Sequence, residues 1–267
     1  MTLVKREFAS MTELVAYCEG PRRSGAGSQS ETGGESFTGT VDYADAMAKV
    51  FRWDEGAAQV TAMRAQLNLG IERFRSESYR SAQLPGAVSM ADYIARRPKP
   101  VIARRRTDEK AKGHGKVVRI VVNPSASAAI DGEVIMRRGA AVMALAEAIE
   151  KRGGRVEILM RYGVTSGDTQ GQYETVIKRA GVALNLNTVA FAMAHPSMLR
   201  RLMFRAMENT PHVMRMTKGG YGSPWNPPTN EGEVYLPAMR GGDSRWQSAD
   251  AATEWVNTYL RDNGWIK

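Results

Sequence analysis

Cysteine is almost missing from this 267-residue chain, and its single thiol, Cys18, excludes both an intrachain disulfide framework and a cysteine-built zinc site within one chain. No apolar run approaches the roughly 20 residues that cross a bilayer. The opening MTLVKREFAS lacks the apolar centre of a secretory signal. Together these absences lead us to expect a cytoplasmic protein with no membrane partner. Neither the phosphate-loop pattern GxxxxGK[ST] nor GxGxxG after a strand occurs, so nucleotide hydrolysis and dinucleotide binding lack their usual apparatus. The three histidines, His114, His195 and His212, form no HExxH pair, and there is no nucleophile elbow. Acids are the scarcer charge, 28 against 37 Lys and Arg. The resulting net +9 favours contact with polyanions such as nucleic acid.

What is present suggests three segments. Residues 1–95 read as a mainly helical region. SMTE at Ser10–Glu13 has capping-box spacing and starts a short helix through Cys18, where a small buried thiol is the ordinary role. PRRSGAGSQSETGGESFTGT, 21–40, carries many glycines and serines and almost no apolar side chains, which predicts a mobile loop. Helical spacing returns in VDYADAMAKVF and in DEGAAQVTAMRAQLNLGIERF, where Val60, Met63, Leu67 and Ile71 form a packing stripe. SMAD at Ser89–Asp92 reads as another helix start. The 15 methionines are adaptable core filler.

Residues 96–116, RRPKPVIARRRTDEKAKGHGK, form a basic linker and domain boundary with only two acids. Arg96, Arg97, Lys99, Arg104, Arg105, Arg106, Lys110 and Lys112 are its candidate nucleic-acid contacts. No aromatic side chain is available there for base stacking.

From 117 to 267 strand and helix patterns alternate. VVRIVV is a nearly continuous apolar run, as in a central strand covered on both faces. RRGAAVMALAEAIEKRGG is an amphipathic helix with Ala141, Leu145 and Ile149 in one stripe, and RVEILMRYG is a second strand, completing a βαβ unit. YETVIKRAG, the two helices of NTVAFAMAHPSMLRRLMFRAMEN meeting at Pro196, GEVYLPA and SADAATEWVNTYLRDNG follow as strand, helices, strand and closing helix. The expected fold is α/β and doubly wound, a mostly parallel sheet with helices on both faces and its functional edge at the carboxyl ends of the strands.

At that edge lies VVNPSASAAID. Asn123, Ser125 and Ser127 follow the first strand at alternate positions, a spacing that can turn three side-chain oxygens toward one point, and hard cations take such ligands. Here the sequence resembles the von Willebrand factor A-like fold, whose metal-ion-dependent adhesion site begins Asp-x-Ser-x-Ser after the first strand. The following helix and RVEIL are similar to that fold, as is the late GEVYLPAMRGGDSRWQSADAATEWVNTYL, particularly to domains encoded by phages and mobile elements. The resemblance implies a Mg²⁺ site completed by a threonine and an aspartate from later loops, for which VTSGDTQ offers Thr165, Ser166, Asp168 and Thr169. Asn123 stands where the family has its first aspartate, and Asp131 is the alternative source of the missing charge. The expectation is a degenerate loop held by hydrogen bonds, with a bound ion as its alternative.

GGYGSPWNPP, 219–228, exposes glycines, aromatics and prolines, as a binding loop or a surface connection would. The functional expectation is a non-enzymatic protein that binds a macromolecule through its strand-end loops. Its partner is another protein or a second copy of itself, with basic segments available to nucleic acid in the host cytoplasm. A metal-dependent phosphodiesterase or nuclease and a self-assembling structural protein are the alternatives.

Overall fold

The computed structural model describes residues 2–20, 29–67, 69, 78–81, 87–88, 94, 101–105, 115–166, 168–210, 213, 221 and 223–266. Its first element is a strand that the sequence reading did not anticipate, β1 (Thr2–Phe8). Lys5, Arg6 and Glu7 interrupt its apolar character because it is an edge strand, where charge deters pairing with other molecules. α1 (Met11–Glu19) starts at the SMTE box. Ser10 Oγ accepts from the Glu13 N–H at 3.2 Å, and the Glu13 carboxylate takes the Ala9 N–H at 2.7 Å.

The next segment departs from expectation. Residues 21–28 of the anticipated mobile loop lie outside the described residues, but 29–40 carry two short helices, α2 (Gln29–Thr32) and α3 (Glu35–Thr38). Ser30, Thr38 and Thr40 within it are fully buried. Apolar burial does not hold this strap; Arg201 does. The Arg201 side chain is sealed from solvent, and its Nη1 donates to the carbonyls of Ser30 at 3.0 Å and Glu31 at 2.8 Å. Nη2 lies within hydrogen-bonding distance of the Gly33, Thr40 and Val41 carbonyls and of Thr38 Oγ1, and Nε reaches Thr40 Oγ1. Gly39 turns the strap with φ at 77°, and a Cβ there would sit 3.2 Å from the His195 ring. His195 is buried against Trp53 and Phe191, with Nδ1 accepting the Ser197 N–H. Burial, helped by Lys49 and opposed by Asp45, lowers its pKa to about 4, so it packs as a neutral ring.

α4 (Tyr43–Lys49) and α5 (Asp54–Gln66) form where the helical spacing predicts, with Val60 and Leu67 buried. Ile71 and the SMAD start lie outside the described residues. A small antiparallel sheet then joins β2 (Ser78–Ser81) and β3 (Ala87–Val88) to β4 (Val101–Arg105). The middle of the expected linker is therefore a strand, and it contains Arg104 and Arg105. The other candidate contacts, Arg96, Arg97, Lys99, Arg106, Lys110 and Lys112, fall outside the described residues.

β5 (Val117–Val122), α6 (Gly132–Lys151) and β6 (Arg155–Ser166) make the expected βαβ crossover, the two strands parallel with Val122 opposite Met160. β7 (Thr169–Lys178) is a strand as anticipated, but it runs antiparallel to β6. Only Gly167 and Asp168 separate the two, which permits a hairpin and no crossover. α7 (Leu186–Ala194) ends before Pro196. The chain then resumes as a wide π turn, Met198–Met203, which runs into α8 (Phe204–Glu208). β8 (Ser223–Pro224) pairs with β6, β9 (Glu233–Leu236) runs parallel to β5, and α9 (Ala249–Asp262) closes the described fold. The result is a mixed α/β structure with a mostly parallel six-stranded sheet in the order β1-β7-β6-β5-β9, β8 lying off this path.

The two sheet faces differ. Val118, Ile120, Val122, Val156, Ile158, Met160 and Tyr162 face a cluster that takes in the buried side chains of all the long helices, including Leu145 and Ile149 of α6 and Val256 and Leu260 of α9. The opposite face was also expected to carry helices. Among the described residues the proline-rich segment 225–230 lies there instead, over Arg161 and Gly163.

Removing the Arg201 guanidinium leaves several strap carbonyls buried without donors, each a loss of roughly 1–3 kcal/mol. Arg201→Met is expected to lower unfolding stability in urea by at least about 3 kcal/mol, and Arg201→Lys to recover less than half of that, because an ammonium lacks the planar fork.

Candidate functional site

The loop after β5 is organised by Asn123, which is fully buried. Its Oδ1 accepts the Ser125 N–H at 3.0 Å, and its Nδ2 donates to the Trp225 carbonyl at 3.0 Å and to Asn226 Oδ1 at 3.2 Å. Asn226 Oδ1 also accepts from the Ala238 N–H at 3.0 Å and the Tyr235 hydroxyl at 3.3 Å. One amide pair thus ties the loop after β5 to both flanks of β9. The two strand-end loops continue side by side through a parallel bridge between Ala126 and Met239, with Met239 N–H on the Ser125 carbonyl and Ser127 N–H on the Met239 carbonyl.

From below, Arg138 of α6 holds the same junction. Only 2 % of it is exposed, and it donates to the carbonyls of Asn123, Leu236 and Pro237 at 2.8–3.0 Å. Burial, with the nearby charge of Arg245, lowers its pKa to about 10 against the opposing pull of Asp243 and Tyr235; it is still a cation at neutral pH. On the far sheet face Arg161 engages Glu233 through both Nη groups, Glu174 through Nε, and the Pro228 carbonyl. Burial works to raise the Glu233 pKa, but bonds from Arg161 and Asn230 outweigh it and hold the carboxyl at about 2. Gly163 is required beneath this segment, since a Cβ would meet the Trp225 carbonyl at 2.4 Å.

Above the joined loops opens a cleft of about 530 Å³. Its base is Ser125, Ala126, Ser127 and Ala128 from one strand-end loop with Met239, Arg240 and Gly241 from the other, while Tyr162 of β6 and Leu199 and Phe204 of the helical segment supply apolar lining. Phe37 comes from the strap, and Tyr221, Ser223 and Pro224 from the glycine- and proline-rich stretch. Phe204 and Tyr221 stack with centroids 4.2 Å apart. Arg200 fixes Phe37 by donating to its carbonyl and lying 4.1 Å over its ring, and it reaches the Ser127 carbonyl at 3.3 Å. Glu208, only 1 % exposed, accepts from Ser30 N–H, Ser30 Oγ and the Tyr221 hydroxyl. Of the stretch 219–228, Tyr221, Ser223 and Pro224 line the cleft and 225–228 lie against the sheet.

The residues proposed for a metal site fare differently. Asn123, Ser125 and Ser127 lie together, but the Asn123 amide is committed to the neighbouring backbone and to Asn226. Asp131 is exposed at the start of α6, where its side chain makes no capping bond. Asp168 is exposed on the β6–β7 hairpin. Met160 is level with Val122 in the sheet, and from there to the hairpin at Ser166 is about 20 Å of strand at roughly 3.3 Å per residue. Thr165 and Thr169 share that distant end. Among the described residues no three His, Cys, Asp or Glu side chains gather as a cation cage. His114 and His212 lie outside the described residues.

Sequence reasoning passed over Arg138, Arg200 and Arg201. For Arg138 a signal exists: it falls on the stripe of Val142, Leu145 and Ile149, all buried, where a charge has no solvent to face. Tyr221 lies in the aromatic, glycine- and proline-rich stretch 219–228 that the sequence marks, whereas Phe37 had no signal, because nothing local marks a loop aromatic as a cleft wall.

Fold and site define a mixed α/β protein with a preformed cleft at the carboxyl ends of its central parallel strands. The family model described as "Domain of unknown function (DUF7192)" matches residues 2–267, and the chain belongs to that family. No curated protein matches the chain, and no solved structure does.

If Asn123 is the tie that these bonds describe, Asn123→Asp replaces two donors by a carboxylate facing the Trp225 carbonyl and Asn226 Oδ1. The expected loss is on the order of 2–4 kcal/mol, seen as a lower melting temperature and equal in size with and without millimolar magnesium. Recovery with magnesium would show a cation site instead.

Proposed function

We propose that the protein is a non-enzymatic binding or assembly module that takes part of another macromolecule into the strand-end cleft. The observation that carries this reading is the cleft itself: about 530 Å³, preformed, and built by both strand-end loops, the strap and the 221–224 stretch together. Its size and its largely apolar walls with a few polar groups match sites that accept ligands. Its place beyond the carboxyl ends of β5 and β9 is where open α/β sheets bind them. The reading takes the scaffold as von Willebrand factor A-like, supported by the order of strand, helix and strand over 117–166 and of strand, loop and helix over 233–262. In that scaffold Asn123 has exchanged a ligand's duty for a structural one.

Three reactive side chains outside the lining, Cys18, Glu208 and Arg205, are buried or engaged within the protein, which supports binding over catalysis. Burial pushes the Cys18 thiol up to about 12. Glu208 is enclosed by Ser30 and Tyr221, and the Arg205 guanidinium donates to Glu31 at 2.6 Å.

Ala128 is an exposed residue of the cleft lining, so Ala128→Trp takes up cleft space from a position outside the buried core. Peptides enriched on the full chain from an unbiased display library are expected to bind this variant at least about tenfold more weakly, a difference near 1.4 kcal/mol, with circular dichroism unchanged. Equal binding to both chains would remove the cleft from the account. Enrichment of nothing, with single-stranded oligonucleotide bound in a steeply salt-dependent way, would put a polyanion reading in its place.

A further inference from the structure

Among its described residues the cleft holds a buried hydroxyl without a partner and a charge without a counterion. Ser125 contributes to the lining and is 1 % exposed, and among the described residues its Oγ has no hydrogen-bond partner. Native proteins rarely leave a buried hydroxyl so. Arg240 is exposed on the lining, and no described carboxylate or carbonyl engages its guanidinium. It is also the only formally charged side chain among the described lining residues. Around these two groups the walls are apolar or aromatic, chiefly Phe37, Phe204, Tyr162 and Tyr221.

Resting on the binding reading above, we propose that the occupant is an extended peptide segment of a partner protein in which an apolar side chain stands beside a carboxylate. The apolar side chain enters between the aromatic walls, the carboxylate meets Arg240, and a polar atom of the segment satisfies Ser125. A carboxylate lodged there meets no described acid in the lining, so the local field favours it.

Among the described residues, the supply of available cations favours a peptide over a nucleic acid. A single strand needs aromatic platforms together with a row of cations that follows its phosphates. The aromatic platforms exist, but the neighbouring guanidiniums are spent on the protein. Arg200 serves the Phe37, Ser127 and Ile130 carbonyls, Arg201 the strap, and Arg205 Glu31 and Glu208. One uncommitted cation among the described lining residues suits one anionic group.

The test uses the full chain and two pooled peptide libraries, identical except that one carries a fixed glutamate and the other a fixed glutamine among randomised apolar neighbours. The glutamate pool is expected to be retained at least about tenfold better. That preference should vanish in Arg240→Gln and persist in Arg240→Lys, while Ser125→Ala weakens both pools alike. If both pools bind equally and Ala128→Trp abolishes both, the carboxylate assignment falls while the cleft remains a binding site. If neither pool is retained, the peptide proposal falls altogether. Retention of a single-stranded oligonucleotide that Arg240→Gln abolishes would overturn it in favour of a phosphate ligand.

Discussion

A guanidinium removed from water must find acceptors in several directions at once, and this protein supplies them from the backbone of loops. Arg201 collects the strap, Arg138 the ends of β5 and β9, and Arg200 the Phe37 turn and the Ser127 loop. None of the three has a described carboxylate in hydrogen-bonding contact. Each therefore keeps its charge against the desolvation that lowers its pKa, and only by holding carbonyls in place. The dependence is mutual: without the carbonyls each charge could not stay buried, and without Arg201 the strap, whose buried residues are Ser30, Thr38 and Thr40, has little apolar surface to order it.

This arrangement explains why a cleft can be built from loops. Strand-end connections are usually the least fixed part of an α/β fold. Here they are held on three sides, by Arg138 beneath, by Asn123 and Asn226 across the sheet edge, and by Arg200 and Arg201 from the π turn. The wide turn after Pro196 places two consecutive arginines in the interior, both at 3 % exposure or less. Preorganisation of this kind lowers the ordering cost of binding, which suits a site whose work is recognition.

Much of the sheet was legible from apolar periodicity. The continuous run of β5, the stripe of α6 and the late strand and helix each follow from local pattern, and the SMTE box marks α1. β1 was not legible because an edge strand carrying Lys5, Arg6 and Glu7 shows neither alternation nor a continuous run. The direction of β7 was within reach, since even the nine residues between the two expected strands, 164–172, are too few for a parallel crossover. The strap was beyond local reasoning. Its glycines and serines have the composition of a mobile loop, and its order depends on an arginine some 160 positions away in the chain. The NPSAS loop was placed correctly at the strand end, but whether its oxygens bind an ion or the backbone depends on Trp225 and Asn226, about a hundred residues on.

Buried arginine, rather than apolar burial, orders the strap that supplies Phe37 to the cleft. Amide hydrogen exchange of Arg201→Lys against the unchanged chain tests it most directly. Protection across 29–41 is expected to be lost in the variant while β5, β6 and α6 keep theirs. Protection of 29–41 that survives the substitution, or a loss spread evenly over the sheet, would contradict it.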